Sequence, residues 1–240
     1  MKKSILFIAI VFIATTIQAQ KKIKGNGNMT SITRTTSDYD SVQCSGSFDF
    51  VLVAGIEGSI KIEGEENLMQ YLITEVKDGN LIVRTEDRIN LQFSKDKTIK
   101  ITIPFKEISS VSLSGSGDLW NQDKIITDNM KVSLTGSGDV VLNVEATSTK
   151  ASVAGSGDLI LKGKTHSLNA NVSGSGNLHG FELPAMKTEI SVAGSGDAEV
   201  VCYESLKAQV AGSGDIRYKG NPKIEDSKVA GSGSISQEKK

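Results

Sequence analysis

The tripeptide Gly-Ser-Gly occurs seven times in the second half of this chain, at a nearly constant spacing. Successive copies lie 21, 19, 19, 20, 18 and 19 residues apart. A period of this length is typical of repeat architectures, in which each period forms one supersecondary unit that stacks on its neighbours. The repeat therefore constrains the fold of half the chain, while it leaves the function undetermined. The first glycines of the copies are Gly115, Gly136, Gly155, Gly174, Gly194, Gly212 and Gly231.

Apolar and polar residues alternate through every copy. Two residues before the first glycine stands Leu or Val, from Leu113 to Val229, and four residues after it stands an apolar residue, from Leu119 to Ile235. Period-two alternation indicates a strand with one buried face. In this phase the glycines face inward and the Ser and Asp residues face outward. We therefore interpret the copies as bends in a stacked sheet and not as hairpin loops.

Each period also holds a second, weaker alternating stretch, such as Leu142 with Val144 or Val200 with Cys202. Two or three short strands per period are enough for one coil of a solenoid. Aromatic residues make up only 5% of the chain, and its second half is rich in Ser, Thr and Val, which favours strands. We predict an all-β fold, a parallel β-helix (β-solenoid) with coils of about 19 residues whose equivalent positions stack in register.

The first residues predict a signal peptide over residues 1–19. Lys2 and Lys3 precede an apolar run from Ile5 to Ala14, and small residues lead to a cleavage point after Ala19. The run is too short to span a bilayer comfortably. We therefore expect an exported chain with no transmembrane segment after cleavage.

Residues 20–108 alternate less regularly than the repeats. Ile99, Ile101 and Ile103 form one alternating run, and Asp78-Gly79-Asn80 predicts a turn between two strands. We interpret residues 20–108 as irregular N-terminal β coils that cap the rod, and residues 109–240 as the regular repeat solenoid. Residues 20–240 are then one continuous domain. The stretch 65–75 fits either a short helix or a strand.

Charge and cysteine content exclude some classes of function. Without Lys2 and Lys3, 25 of the 27 basic residues remain against 28 acidic ones, a net charge of −3. This balance, with no basic stripe, argues against a nucleic-acid partner. Cys44 and Cys202 are the two cysteines. Export permits a disulfide, but the inward phase of Cys202 favours two separate buried thiols.

The leader, the segment from Phe48 to Leu68, the stretch Asp78-Gly79-Asn80-Leu81-Ile82-Val83 and the repeated Val-x-Gly-Ser-Gly-Asp pattern together resemble a bacterial family. It is the family named "putative auto-transporter adhesin, head GIN domain", and the resemblance covers nearly all of the chain after the leader. It implies a right-handed parallel β-helix on the envelope of Gram-negative bacteria. The location would be the periplasm, the outer-membrane surface or the extracellular space.

The outward position after the second glycine forms a column that we name the Asp column: Asp118, Asp139, Asp158, Asn177, Asp197, Asp215 and Ser234. Clustered carboxylates suit a hard cation such as Ca²⁺, whereas Asp, Asn and Ser all accept local backbone hydrogen bonds. Because the column includes an amide and a hydroxyl, we favour the structural interpretation and predict no metal site and no cofactor. The residues assigned a structural role in the repeat are Gly115, Gly117, Asp118, Gly136, Gly138, Asp139, Gly155, Gly157, Asp158, Gly174, Gly176, Gly194, Gly196, Asp197, Gly212, Gly214, Asp215, Gly231 and Gly233.

A second outward column holds the motif serines, from Ser116 to Ser232, beside a column of small residues from Ser114 to Ala230. Together they predict a flat face along the rod. This face is either a docking surface for another subunit or an extended polymer, or simply the consequence of a sharply bent sheet. The sequence alone does not distinguish these two interpretations.

Residues suited to catalysis are few, and no catalytic residue is predicted. His166 and His179 are the only histidines, and neither has a metal-ligand spacing. Trp120, Asn177 and His179 depart from the pattern of their columns and are the candidate surface contacts.

The leading hypothesis is an exported, non-enzymatic β-solenoid that binds or adheres at the cell envelope. Its partner would be an envelope protein or a surface polysaccharide. Two alternatives remain: a polysaccharide-degrading β-helix enzyme, and a structural envelope protein that self-associates through the flat face.

Overall fold

The computed structural model describes residues 20–238, and the predicted leader at residues 1–19 lies outside them. Strands account for 69% of the residues and helix for 2%, so the predicted all-β class is confirmed. The elements in chain order are β1 (Lys21–Lys24), β2 (Met29–Thr35), β3 (Ser41–Gly46), β4 (Asp49–Ala54), β5 (Ser59–Glu65), α1 (Glu66–Met69), β6 (Leu72–Lys77), β7 (Asn80–Thr85), β8 (Ile89–Gln92), β9 (Lys100–Phe105), β10 (Ser110–Gly115), β11 (Leu119–Asn121), β12 (Ile125–Gly136), β13 (Val140–Gly155), β14 (Leu159–Gly174), β15 (Leu178–Gly194), β16 (Ala198–Gly212), β17 (Ile216–Lys219), β18 (Ile224–Gly231) and β19 (Ile235–Gln237).

The repeats form a parallel β-solenoid of about seven turns, as predicted. Strands β10, β12, β13, β14, β15, β16 and β18 pair in this order, all parallel. Their register aligns the first glycine of each copy with the first glycine of the next, from Gly115 with Gly136 to Gly212 with Gly231. The period in the sequence is therefore one coil of the rod.

The core of the rod consists of the apolar positions that flank the glycines. Leu113, Leu134 and Val192 before the motif and Leu119 and Leu159 after it are fully buried. Equivalent aliphatic side chains of successive coils therefore stack on one another along the axis, on the single buried face that the alternation predicts. Burial of each such side chain contributes roughly 1.5–3 kcal/mol relative to exposure.

Adjacent coils are joined at the motif by a hydrogen bond that every copy repeats. The carbonyl of Gly115 accepts the N–H of Ser137 at 2.9 Å and the N–H of Gly138 at 3.1 Å. The first glycines have φ between +108° and +142°, a backbone conformation that residues with a Cβ rarely adopt. This conformation points two successive N–H groups at one oxygen of the neighbouring coil.

The second glycine of each copy is required by close approach between coils. A Cβ placed on Gly138, Gly157, Gly196 or Gly214 would lie 1.9 Å from the carbonyl oxygen of the second glycine in the preceding coil. No side chain fits in this space. Both motif glycines therefore make the tight axial contact possible, which agrees with the sequence interpretation of a bend and a close neighbour.

An eighth, disguised copy of the motif begins the stack. Strand β3 pairs parallel with β10, and Gly46 aligns with Gly115. The local sequence is Gly46-Ser47-Phe48-Asp49, with Phe in place of the second glycine. The Phe48 side chain packs edge-to-face against Phe93 of the cap, with ring centroids 6.2 Å apart, and against Phe50 at 6.0 Å.

The N-terminal region does not climb the rod in chain order. Strand β3 pairs on one edge with β10 and on the other with the later strand β7, and β4 pairs likewise with β11 and β9. Residues 41–54 thus form a coil that is sandwiched between two segments that follow it in sequence. The sequence does not reveal this order, because alternation shows which residues face inward but not which strands pair.

Antiparallel strands close this end of the rod. Strand β2 pairs antiparallel with β5, β5 with β9, and β6 with β7. The short helix α1 lies in the stretch that fitted either a helix or a strand. Such a cap covers the first coil with a different pairing pattern, as solenoids require at their ends.

Both carboxylate oxygens of Glu65 accept hydrogen bonds from other segments of the cap. Its Oε1 accepts the N–H of Gly27 at 2.6 Å and the hydroxyl of Ser94 at 2.5 Å, and its Oε2 accepts the N–H of Ser94 at 2.9 Å. Burial alone raises the pKa of Glu65. The hydrogen bonds from Ser94 and Gly27, together with Lys97, outweigh burial and hold this pKa below its usual value.

The two cysteines are separate buried thiols, which is the arrangement that the inward phase favoured. Cys44 and Cys202 are both free and fully buried. Burial raises the pKa of the Cys44 thiol well above its usual value. Within residues 20–238, no helix is long and apolar enough to cross a membrane.

Replacing Gly157 with Ala should destabilise the rod severely, because the new Cβ would lie 1.9 Å from the carbonyl oxygen of Gly138. We expect a loss of at least about 3 kcal/mol in the free energy of unfolding, measured by chemical denaturation. The matched control is Gly55→Ala, whose Cβ would meet its nearest neighbour, Cβ of Pro104, at 3.5 Å. A Gly157→Ala protein as stable as the Gly55→Ala control would refute the close-approach argument.

Replacing Glu65 with Gln should weaken the cap in a pH-dependent way. A depressed carboxyl pKa stabilises the fold above the usual Glu pKa of about 4.3, and this stabilisation disappears as the pH falls through the folded-state pKa. We expect the variant to lose about 1–2 kcal/mol at pH 7 and to converge with the wild type in acid. Denaturation from pH 7 down to pH 3 measures this difference.

The control for this experiment is Glu63→Gln on the same strand. Glu63 forms an exposed pair with Lys61, so its loss should cost little at any pH. A Glu65→Gln deficit that stays constant in acid would contradict the assigned role of the carboxylate.

Candidate functional site

Two of the three predicted contact residues lie in one outward column of the rod. The register aligns Trp120 with Val51 and Val141, Val141 with Ile160, and Ile160 with His179. At about 4.8 Å per coil, Trp120 and His179 lie three coils apart. Their column changes along the rod from aliphatic and aromatic residues to charged ones, so the two residues do not form one compact site.

His179 belongs to a chain of polar contacts across four coils. Its Nδ1 lies 3.2 Å from Glu199 Oε2, and its Nε2 lies 3.9 Å from Asp158 Oδ2. Arg217 in the next coil donates to Glu199 Oε1 at 2.6 Å. Glu199 therefore sits between an imidazole and a guanidinium, and each charge of this group has a neighbour of opposite sign when His179 is protonated.

The Asp column acts as a series of backbone hydrogen-bond acceptors. Asp118 Oδ1 accepts the N–H of Asp139 at 3.1 Å, and Asp139 Oδ1 accepts the N–H of Asp158 at 2.9 Å. The same bond recurs up the rod to Ser234, whose N–H donates to Asp215 at 2.7 Å. The acceptor thus serves the following coil and not its own bend, which is the detail that the sequence did not reveal.

Asn177 fits this series by donating as well as accepting. Its Oδ1 accepts the N–H of Asp197 at 2.9 Å, and its Nδ2 donates to Asp158 Oδ1 at 2.9 Å. The amide therefore separates two carboxylates that would otherwise repel each other. Within residues 20–238, no group of three or more His, Cys, Asp or Glu side chains is placed to hold a metal ion.

The motif serines lie on the outward face of small residues that the sequence predicts. All seven, from Ser116 to Ser232, are exposed, and so are the small residues beside them from Ser114 to Ala230. The face is built from short side chains stacked in register, and its use as a docking surface stays a prediction.

The largest break in the repeat register lies in β15 directly after His179. Between His179 and Pro184 the chain takes five steps, whereas β16 takes two from Glu199 to Val201, so β15 is three residues longer here. Residues 180–183 form the resulting bulge, with Leu183 fully buried at its base. A bulge of this kind redirects side chains and is often found next to functional sites.

Beside this bulge lies a groove of about 570 Å³, which we name the bulge groove. Its walls come from four successive coils, and its mouth is outward-facing. Tyr203 is 47% exposed, the most exposed aromatic side chain of the described residues. The residues that define the groove are Phe181, Pro184, Val201, Tyr203, Lys219 and Glu238.

Sequence reasoning missed Tyr203 and Phe181 as functional candidates. The phase of the alternation, with Cys202 inward, could have identified Tyr203 as outward-facing. The unequal repeat steps around Gly194 contain the insertion that forms the bulge, but the steps alone do not locate it. Trp120, by contrast, is partly buried and lies on the regular part of the rod.

A second, larger groove of about 800 Å³ follows the regular repeat on β12–β15. Ile126, Thr147, His166 and Met186 are among its lining residues. One of its three carboxylates, Glu145, is bound by Lys164 at 2.6 Å and by Lys124 at 3.3 Å, and these lysines hold the pKa of Glu145 below its usual value. Among the described residues, no Tyr, Phe or Trp side chain lines this groove.

Replacing Asp139 with Ala should destabilise the rod by about 1 kcal/mol, because the N–H of Asp158 loses its acceptor. The variant Asp139→Asn keeps an oxygen acceptor, as Asn177 does naturally, and should stay within about 0.5 kcal/mol of the wild type. Thermal unfolding of both variants, with and without Ca²⁺, measures the difference. If Asn proved as harmful as Ala, or if Ca²⁺ stabilised only the wild type, the column would be a charge-dependent cation site instead.

Solved structures with this fold include proteins from Bacteroides and Parabacteroides species. A putative adhesin from Bacteroides fragilis NCTC 9343 superposes with a TM-score of 0.82 at 24% identity, covering 90% of this chain and 100% of the other. A putative lipid binding protein from Parabacteroides distasonis ATCC 8503 gives a TM-score of 0.77 at 30% identity, covering 91% and 100%. A putative adhesin from Parabacteroides merdae ATCC 43184 gives 0.71 at 22% identity, covering 91% and 99%.

None of the curated proteins matches the chain in sequence. A family model does match, over residues 38–222, and its description is "putative auto-transporter adhesin, head GIN domain". The matched range begins just before the disguised motif at Gly46 and ends in the coil of the sixth Gly-Ser-Gly copy, which starts at Gly212. The resemblance drawn from the signal, the Asp-Gly-Asn turn and the Gly-Ser-Gly-Asp repeats is thereby confirmed, and the chain belongs to the family of putative auto-transporter adhesins with the head GIN domain.

Proposed function

We propose that this protein is an exported, non-enzymatic adhesin of the bacterial cell envelope. It would hold its partner, an envelope protein or a surface polysaccharide, on the outer surface of its solenoid. Family membership and the adhesin names of two similar structures support the general class of function. The predicted leader at residues 1–19 supports export.

The observation that carries the proposal is the in-register stacking of the outward columns. Equivalent positions recur at about 4.8 Å along the rod, so the Asp column and the column of motif serines present similar chemistry many times in one direction. Extended, repetitive partners such as polysaccharides or strands of another protein match this geometry. Extended surfaces of this type are how solenoid proteins usually bind.

The bulge groove gives this surface a distinct local site. It is the place where the regular side of the rod becomes concave and where aromatic side chains reach the solvent. Ligand sites are usually concave and combine apolar walls with a few polar groups. A binding role is therefore supported by the shape of the surface, and no chemical step is required of it.

The test is a binding assay with the purified protein lacking the leader. Envelope fractions and surface polysaccharides of a Gram-negative bacterium would be immobilised, and retention of the protein would be measured against a mass-matched soluble control protein. We expect saturable retention on at least one fraction, together with no release of reducing sugar from the polysaccharides.

Two outcomes would count against the proposal. Absence of retention on every envelope fraction would remove the adhesin function. Release of reducing sugar at a rate above that of heat-unfolded protein would replace it with the polysaccharide-degrading alternative.

A further inference from the structure

We propose that the bulge groove is a site for a neutral oligosaccharide, with the ring of Tyr203 as the surface on which one sugar stacks. This inference rests on the proposed adhesin function and names the class of ligand for one part of its surface. It is drawn from three features of the groove: an exposed aromatic ring, a polar rim of amides, and the internal neutralisation of its charges.

The aromatic wall provides the stacking surface. Tyr203 is 47% exposed, and the hydrogen bonds of the described residues leave its hydroxyl without a protein partner. The face of an aromatic ring is electron-rich and attracts the slightly positive C–H groups of an apolar surface. A pyranose presents such a C–H face, with hydroxyl groups around its edge. Pro184 and Val201 extend the apolar wall beside Tyr203.

The second aromatic ring of the groove is held in place from one side. The Lys219 Nζ lies 3.8 Å from the centroid of the Phe181 ring, a cation–π contact. The contact fixes both side chains, because Phe181 projects from the bulge and Lys219 from the neighbouring β17. Phe181 therefore forms a wall of the groove, and the exposed ring of Tyr203 is left as the platform.

The rim of the groove carries groups that suit sugar hydroxyls. Asn221 and Gln237 lie at the rim, and the Gln237 amide donates to the carbonyl of Gly220 at 2.6 Å. The carboxylate of Glu238 lies 3.7 Å from Lys219. Amide and carboxylate groups can both accept hydrogen bonds from hydroxyls, and the amides can donate as well.

The charge of the groove favours a neutral ligand over an anionic one. Lys219 faces Glu238 and the Phe181 ring, and Arg217 next to it faces Glu199. Lys219, the cation that lines the groove, is therefore already paired. A phosphate-bearing lipid headgroup would need unpaired cations, which the described lining of the groove does not offer.

The size and rigidity of the groove agree with a short stretch of sugar chain. Its volume of about 570 Å³ falls in the range of roughly 300–1,000 Å³ that is typical of ligand sites. Gly220 at its base has φ +105°, and a Cβ there would lie 2.0 Å from the carbonyl of Cys202. The base of the groove is thus a tight backbone contact that is formed before any ligand arrives.

In the experiment, the purified protein is titrated with neutral tetrasaccharides of glucose, mannose and galactose, in α- and β-linked forms. Calorimetry measures the binding affinity of each one. We expect at least one of them to bind the wild type. Tyr203→Ala should weaken that binding about tenfold or more, because the stacking surface is lost. Tyr203→Phe should keep it within about threefold, since the ring remains. Phe181→Ala, a second variant, should also weaken it.

The matched control is Trp120→Ala, which removes a partly buried aromatic ring four coils from Tyr203 and should leave sugar binding unchanged. Thermal unfolding of each variant verifies that it is folded. The inference is overturned if no neutral tetrasaccharide binds, or if Tyr203→Ala binds as tightly as the wild type. Vesicles of phosphatidylglycerol and phosphatidylethanolamine form the other arm, and Tyr203-dependent vesicle binding would assign the groove to lipid instead.

The same variants separate this inference from the proposed function. A Tyr203→Ala protein that still binds envelope fractions, while the wild type binds no sugar, leaves the adhesin function standing and removes the groove assignment. If the wild type binds no envelope fraction, both the adhesin function and the groove assignment are removed.

Discussion

The contact on which this rod depends is the one between the glycine carbonyl of each coil and two N–H groups of the next. The carbonyl oxygen of Gly115 accepts hydrogen bonds from the N–H groups of Ser137 and Gly138, and the same pair of bonds joins each later pair of adjacent coils. It needs positive φ at the first glycine and the absence of a Cβ at both. Once the coils are held at this distance, the aliphatic columns on either side of the motif are brought into contact and close the core. The Asp column adds a parallel set of bonds on the outside of the same bend.

Much of this architecture could be predicted from the chain, because period-two alternation and a constant repeat step are direct consequences of a stacked strand. The phase assigned Leu113 and Leu119 to the interior and the motif serines to the surface, and the structure agrees. The first coil escaped notice because Phe48 occupies the place of a motif glycine. Its flanking residues, Val42 and Cys44 before and Phe50 after, nevertheless follow the pattern of the repeats.

The site was harder to predict than the fold, for a physical reason. Alternation assigns a face to each residue, but a groove depends on how far neighbouring coils project from that face. The insertion after His179 lifts Phe181 away from the regular surface, and only the pairing of Pro184 with Val201 reveals the extent of the bulge. His179 was identified as a break in its column, and it stands at the edge of the bulge. Trp120 was identified by the same criterion and lies on undisturbed sheet.

The sandwiched position of the first coil has a consequence for how the chain acquires its structure. Ser41 pairs with Asn80 on one edge and with Ser110 on the other, so both neighbours of this strand emerge later than the strand itself. A chain that is synthesised from its N-terminus presents this strand well before either partner. Long-range closure of this kind is slow compared with the addition of a coil to an existing edge. Assembly then has one demanding step, the enclosure of residues 41–54, after which each repeat can be laid on the one before it as it arrives.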